Sequence, residues 1–497
     1  MASSGEGGIK LEALPALSPE LYQRSWASIP HPTLPLLATC HSKAVTIYSL
    51  SSLSSHSTLT GGHARSVRTA AWKPAMPPHK LCLVTASFDS TAALWRWDGD
   101  SLPLALPSDS APSHPTSLEV DVTAATATRS PSRDSGASDK DDDDWEFSLV
   151  LEGHDSEVKS VAFSPSAQYL ATCSRDKTVW IWEDVGANEA DDEWETVAVL
   201  NEHEGDVKSV AWCPDVPGRS AKGKYGADVL ASSSYDNTVR IWREDGDGEW
   251  VCVAVLEGHD GTVWGVQWES DPDRKAFPRL MSFSADKTIR IWTLKEEDEE
   301  EDSGDGKNPM FRPGLGGIPS TMRRSLREDW ECTAVLPAVH KRDVYSAAWS
   351  AASGLIVSTG SDGIIAVYKE DVSAPIRGSE PTTDGTGPSE HAENGEVAAA
   401  KVSSEPTRWR VVGSVENGHG PYEINHVTWC RRFDSGTENR GVEEMLVTTG
   451  DNGVVKPWQH RKDYFYKGNT PALDAAPFVN TTYMLTAGYL PGFLQIL

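Results

Sequence analysis

One stretch of the chain reads Glu152-Gly153-His154, then Glu157-Val-Lys-Ser-Val-Ala-Phe163, Tyr169-Leu-Ala-Thr-Cys-Ser-Arg-Asp176 and Thr178-Val-Trp-Ile-Trp182. The next stretch repeats it: Glu202-His203, Asp206-Val-Lys-Ser-Val-Ala-Trp212, Leu230-Ala-Ser-Ser-Ser-Tyr-Asp236 and Thr238-Val-Arg-Ile-Trp242. Working outward, an apolar residue follows the His by four positions at Val67, Val158, Val207, Val263 and Val344, and by five at Ile424. An aromatic stands five positions further on, at Trp72, Phe163, Trp212, Trp268, Trp349 and Trp429. Each turn residue (Asp89, Asp176, Asp236, Asp286, Asp362, Asn452) precedes a closing aromatic by six and follows a hydroxyl by four. Three offsets held through six copies are self-similarity, and fixed-period self-similarity signals a repeat architecture.

Composition limits what such an array can do. The 497 residues carry 73 acidic against 45 basic side chains, a net charge of -28. That balance argues against a broad nucleic-acid or anionic-membrane surface, because phosphate contact needs clustered Lys and Arg. No apolar run approaches the roughly 20 residues of a membrane-spanning helix. Met1-Ala2-Ser3-Ser4-Gly5 lacks the basic-then-apolar pattern of a secretory signal. Seven cysteines are scattered and never spaced C-x-x-C, which predicts reduced thiols rather than disulfides or a zinc site. No cofactor is called for.

The repeat resembles that of WD-repeat β-propellers, with short strands separated by turns at the length of one four-stranded blade. Closing aromatics at 48, 95, 182, 242, 292, 368 and 458 predict an all-β, seven-bladed propeller over residues 9–459. Insertions of about 98–144, 293–329 and 369–408 interrupt it, and a tail over 460–497 stays unassigned. The outer strand of the seventh blade is missing at its C-terminal side, and Ile9-Lys-Leu-Glu-Ala-Leu-Pro-Ala-Leu17 is the segment expected to supply it. Pro457 interrupts the last strand, where it removes a backbone donor. By resemblance, His154, Thr172, Asp176 and Trp182 form one hydrogen-bonded chain within a blade, and His203, Ser232, Asp236 and Trp242 a second. A His-Ser-Asp trio also suggests a hydrolase, but its recurrence in blade after blade favours a structural role. The same recurrence argues against the histidines as metal ligands.

The two faces differ in chemistry. The long insertions fall on the links between third and fourth strands or between first and second, at the rim called the bottom. The five third-to-fourth links carry 39 acids and 14 bases, a net of -25 within the chain's -28. Their Ser, Pro, Gly and acid runs predict disorder and a solvated fringe. The opposite, upper rim has short links. The residue after each conserved apolar position there reads Arg68, Lys159, Lys208, Trp264, Tyr345 and Asn425. The residue before each turn residue reads Phe88, Arg175, Tyr235, Ala285, Ser361 and Asp451. Cations (Arg68, Lys159, Arg175, Lys208) beside aromatics (Tyr235, Trp264, Tyr345) on rigid loops suit a partner-binding patch for an acidic or carboxylate-terminated segment. The competing reading is that these cations pair with Glu157, Asp206 or Asp343 nearby.

Longer strings narrow the family: residues 152–163, 170–183, 230–242, 250–264, and Val339-His-Lys-Arg-Asp-Val-Tyr-Ser-Ala-Ala-Trp349. Together they resemble the WD-repeat subunit of the cytosolic iron–sulfur protein assembly machinery, the Ciao family. The resemblance implies a non-enzymatic adapter that delivers 4Fe–4S clusters to cytosolic and nuclear apoproteins, resident in the cytoplasm and also the nucleus. It implies a small adapter subunit, a helical-repeat scaffold, an iron-only-hydrogenase-like cluster donor and client apoproteins as partners. The family's exposed upper-face arginine maps onto Arg175. The alternative is a WD scaffold of another complex, such as a ubiquitin-ligase substrate receptor or a histone-tail reader.

Overall fold

The computed structural model describes residues 8–77, 79–98, 145–186, 192–215, 228–245, 247–270, 279–295, 327–371 and 408–462. Every regular element in them is a β-strand, and the 28 strands form seven four-stranded antiparallel sheets. The third sheet shows why. Its strands Val158–Phe163, Tyr169–Ser174, Val179–Asp184 and Trp194–Leu200 pair in chain order. The second strand is a run of apolar and small residues buried on both faces, whereas the outermost leaves Val197 and Val199 exposed.

Burial lies between blades as much as within them. Leu170 and Trp182 pack with Cys82, Val84 and Leu94 of the preceding sheet. Six more clusters of this kind join successive neighbours, and the last packs Leu37 and Tyr48 of the first blade against Met445, Val447 and Val455 of the seventh. Seven blades with seven interfaces make a closed ring.

Closure uses both ends of the described chain. Ile9–Ala13 pairs antiparallel with Val455–Lys462, Leu11 opposite His460. Past Ala13 the predicted strand gives way to spaced contacts, with Leu14 N–H donating to the Pro457 carbonyl at 2.9 Å and Leu17 N–H to that of Val455 at 3.0 Å. In a strand, N–H and C=O of one residue point to the same side, so the donor that Pro457 lacks falls on this outer side. The inner ladder to Glu444–Gly450 is left intact, which is how the strand tolerates its proline. The strand also runs three residues beyond 459. The rest of the tail and the middles of the three insertions, with their expected disorder, lie outside the described residues.

The repeated polar residues meet as expected. His154 Nδ1 lies 2.8 Å from Asp176 and its Nε2 2.9 Å from the Thr172 hydroxyl, which Trp182 Nε1 reaches at 3.0 Å. An indole only donates and a carboxylate only accepts, so Trp182 donates to the Thr172 hydroxyl and the imidazole donates from Nδ1 to Asp176. His203, Ser232, Asp236 and Trp242 repeat the chain at 2.7–2.8 Å. It recurs from His63, His259, His340 and His419, with Tyr368 as the fifth closing aromatic and Asn452 in the sixth turn. Leaving one member of such a chain unpaired costs about 1–3 kcal/mol.

Blade-to-blade ion pairs revise one expectation. Lys73 reaches Asp184 at 2.6 Å, Arg96 pairs with Asp192, and Arg243 reaches Glu328 at 2.8 Å. Arg279, its side chain 5% exposed, is held by both oxygens of Glu269 and both of Glu370, over the Trp349 ring. Apart from Arg279–Glu269, which stays within the fifth blade, each pair crosses to the next blade and ends on an acid at the foot of its third-to-fourth link. The feet of the acidic links are therefore structural, not merely a solvated fringe.

Two predictions follow from closure and from the imidazole chains. Leu11 is buried between the sixth and seventh blades, so Leu11→Asp should lower the unfolding free energy by about 2–4 kcal/mol. It should also speed amide exchange along 455–462, while Leu11→Met stays within about 1 kcal/mol of the parent. Burial opposes ionisation of Asp176, but hydrogen bonds from His154 and Thr178 outweigh it and hold the carboxyl down at about 2, against an ordinary 3.8. Burial pulls the His31 imidazole down to about 4 and His426 to about 3. Both kinds of group bind protons more readily in the unfolded chain, so stability is complete above about pH 6.5 and falls on acidification. The histidines act between about pH 6.5 and 3, and carboxylates such as Asp176 below about pH 4, for roughly 2–5 kcal/mol each. Urea unfolding at stepped pH checks this, and a flat profile from pH 7 to 3 would contradict it.

Candidate functional site

Every innermost strand begins with the same irregularity. Val158 pairs with Ser174 and Ser160 with Cys173, leaving Lys159 as an extra, unpaired residue. The same bulge isolates Arg68, Lys208, Trp264, Tyr345 and Asn425 in five other blades. In the first blade it isolates Trp26. A bulge re-aims its side chain, and here all six of the predicted positions line one cavity along the propeller axis.

The short upper loops are latched to these bulges. Arg175 N–H donates to the Glu157 carbonyl at 3.0 Å and Tyr235 N–H to that of Asp206 at 2.8 Å. The latch brings the pre-turn side chains to the bulged ones, and a run of contacts circles the opening. Lys159 sits 4.3 Å from the Phe88 ring, and Phe88 packs edge-on against Trp26. Arg68 and Arg24 lie over Trp26 at 5.2 and 5.0 Å. Lys208 lies 5.5 Å from the Tyr235 ring and 5.4 Å from that of Trp264. Trp264 meets Tyr345 edge-on at 5.4 Å, and the Tyr345 hydroxyl donates to Glu423 at 3.3 Å. All seven sequence-derived residues thus stand around one opening. Arg68, Lys159, Lys208, Trp264 and Tyr345 are half-buried in its wall, whereas Arg175 and Tyr235 stand out on its rim at 58% and 61% exposure.

The carboxylates named as competitors are engaged. Glu157 takes Arg65, Lys159 and Arg175, at 3.2, 3.3 and 3.2 Å. Burial would raise the Glu157 carboxyl, but the Lys159 charge and the hydrogen bonds from Arg175 and Lys159 bring it below its ordinary value. Asp206 takes Lys208 at 3.2 Å and touches Arg175 at 4.0 Å, and Asp343 accepts from the Trp264 indole at 3.4 Å. Four cations around two carboxylates leave this sector positive.

Sequence reasoning missed three members of the ring. Trp26 escaped because the first blade lacks the His and the apolar marker, with Ser25 where Val stands elsewhere. Arg65 sits two residues after its His, outside the positions compared, and Arg24, bound to Asp451 at 2.6 Å, precedes a strand that carried no signal.

The trio of His203, Ser232 and Asp236 has a hydrolase's spacing, yet Ser232 is 0% exposed and also accepts from Trp242. Five of the free cysteines are buried in different blades and two half-buried. Burial pushes the Cys40 and Cys82 thiols up to about 12, which disfavours the thiolate that a metal or cluster needs. Among the described residues no group of three His, Cys, Asp or Glu side chains is placed to hold a metal ion.

With this geometry in hand, likenesses to known proteins become informative. The family described as "WD domain, G-beta repeat" matches residues 145–183, 194–243, 250–293 and 330–369. A Pyricularia oryzae protein called "Probable cytosolic iron-sulfur protein assembly protein 1" is 60% identical over 461 residues, covering 92% of this chain and 98% of its own. Proteins of the same name from Neurospora crassa and Chaetomium globosum are 55% and 54% identical, each match covering 91% of this chain and 96% of the relative.

Proposed function

Since the chain belongs to the family of cytosolic iron-sulfur protein assembly protein 1, we propose that it is the adapter through which a targeting complex brings 4Fe–4S clusters to apoproteins. A role in cytosolic iron–sulfur assembly follows from membership. The docking mode rests on one observation, the ring of cations and aromatics that bulges and latches gather on the upper rim. Arg175, Tyr235 and Arg65 offer exposed charge and ring area there, while the wall below is rigid, so little side-chain entropy is lost on binding. An acidic or carboxylate-terminated segment with an aromatic anchor fits this chemistry.

On this reading the protein holds no cluster itself and catalyses no reaction. Its partners are a small adapter subunit, a helical-repeat scaffold, an iron-only-hydrogenase-like donor, and cytosolic and nuclear clients. Neither nucleic acid nor membrane is among them, as the net charge of -28 leads one to expect.

Affinity purification of the full chain from its own cells should recover iron–sulfur assembly proteins. Recovery of ubiquitin-ligase or chromatin proteins alone would replace this reading with that of a scaffold for another complex. Arg175→Glu should weaken binding of the recovered client or adapter about tenfold or more by calorimetry, with Tm unchanged. Full binding by that variant would move the docking site away from the upper rim.

A further inference from the structure

Below the rim, the axial cavity has a volume of about 570 Å³ and is walled by the innermost strands. Its wall holds three cations, Arg68, Lys159 and Lys208, and among the described residues no Asp or Glu side chain lines it. In a chain of net charge -28 this is an inversion of sign at the one place where all the blades converge. Lys159 and Lys208 lean outward to Glu157 and Asp206 at 3.3 and 3.2 Å, but Glu157 is already divided among three cations. Arg68 has no carboxylate partner among the described residues. Its guanidinium donates to the Trp26 carbonyl at 3.2 Å and lies over the Trp26 ring.

These charges act on one another. Burial draws the Arg68 guanidinium below its ordinary value. Burial does the same to the Lys159 ammonium, against the pull of Glu157, and the nearby charges of Lys208 and Arg68 add to the effect. Like charges gathered in a partly desolvated channel cost free energy unless something of opposite sign joins them. The hydroxyls of Thr69 and Ser209 line the same wall and can donate to an oxyanion.

We propose that the axial channel is a binding site for a compact, multivalent oxyanion of the phosphate-ester class, a small polyphosphorylated molecule that enters from the upper opening. Several negative charges match three cations, the Arg68 fork suits a phosphate better than a point charge would, and the volume exceeds what one inorganic phosphate fills. Such an anion would also brace the blades that supply Arg68, Lys159 and Lys208. The site lies below the rim at Arg175, its three cations belong to the same ring of bulged residues, and it does not depend on which protein docks above.

The test uses the full chain with inositol hexakisphosphate as probe, followed by calorimetry and thermal unfolding, and with sodium sulfate at matched ionic strength as control. Saturable binding at one site that raises Tm beyond the sulfate control is expected. Arg68→Gln should weaken it at least tenfold, about 1.4 kcal/mol, and Lys208→Gln severalfold, while Arg175→Ala stays within about threefold. Without the anion, Arg68→Gln should keep or raise Tm, because a desolvated charge lacking a counter-ion has gone. The proposal fails if sulfate reproduces the stabilisation, if no saturable heat appears, or if both channel variants bind as the parent does. It fails equally if Arg68→Gln lowers the Tm of the anion-free protein, since the guanidinium would then be a structural support. Loss of partner binding in Arg175→Glu with the anion site intact would separate the two sites.

Discussion

An imidazole held between a turn acceptor on one side and a strand hydroxyl on the other recurs in six blades, and much of the molecule rests on it. His154 can satisfy Asp176 and Thr172 together only in one ring orientation. That choice pins the turn at Asp176 to the strand holding Thr172, and Trp182 completes the chain from the next strand. All three side chains are largely withdrawn from water, so breaking one bond exposes a desolvated partner rather than exchanging one solvent contact for another. The turn thereby becomes a rigid platform, and whatever side chain precedes Asp176 inherits that rigidity.

A second constraint converts the platform into a site. Each innermost strand carries one residue too many for its neighbour, and the surplus residue turns toward the axis. Short backbone latches then hold the pre-turn residues against these bulges. Residues as far apart in the chain as Trp26 and Tyr345 come to surround one opening, because a ring of similar blades repeats one local deviation at regular angles. The lower side is built on another logic. There, acids at the feet of the variable links clamp neighbouring blades, as Glu370 does for Arg279 and Asp184 for Lys73.

The blade count, the hydrogen-bonded chains and the bulged positions were legible in the sequence because the repeat shows itself as fixed offsets between a His, an apolar residue, an Asp and an aromatic. Where the offsets failed, so did the reading. The first blade has no such His, and Trp26, which sits beneath two arginines, went unseen. Arg65 was missed for a related reason, being set apart only by a partner, Glu157, that lies in the following blade. Charge totals on the acidic links could not tell a solvated Glu from one bound to Arg243 or Arg279.

By itself, then, the sequence determined which residues belong to one repeating unit, since local hydrogen bonding and two-residue strand periodicity act over short separations. Tertiary structure alone decided which cations share a carboxylate, which acids clamp a neighbour, and that Arg68 lies in the channel wall without one among the described residues. Coulomb energy and desolvation depend on distances through space. Only closure of the ring, with Leu11 against the last blade, sets those distances.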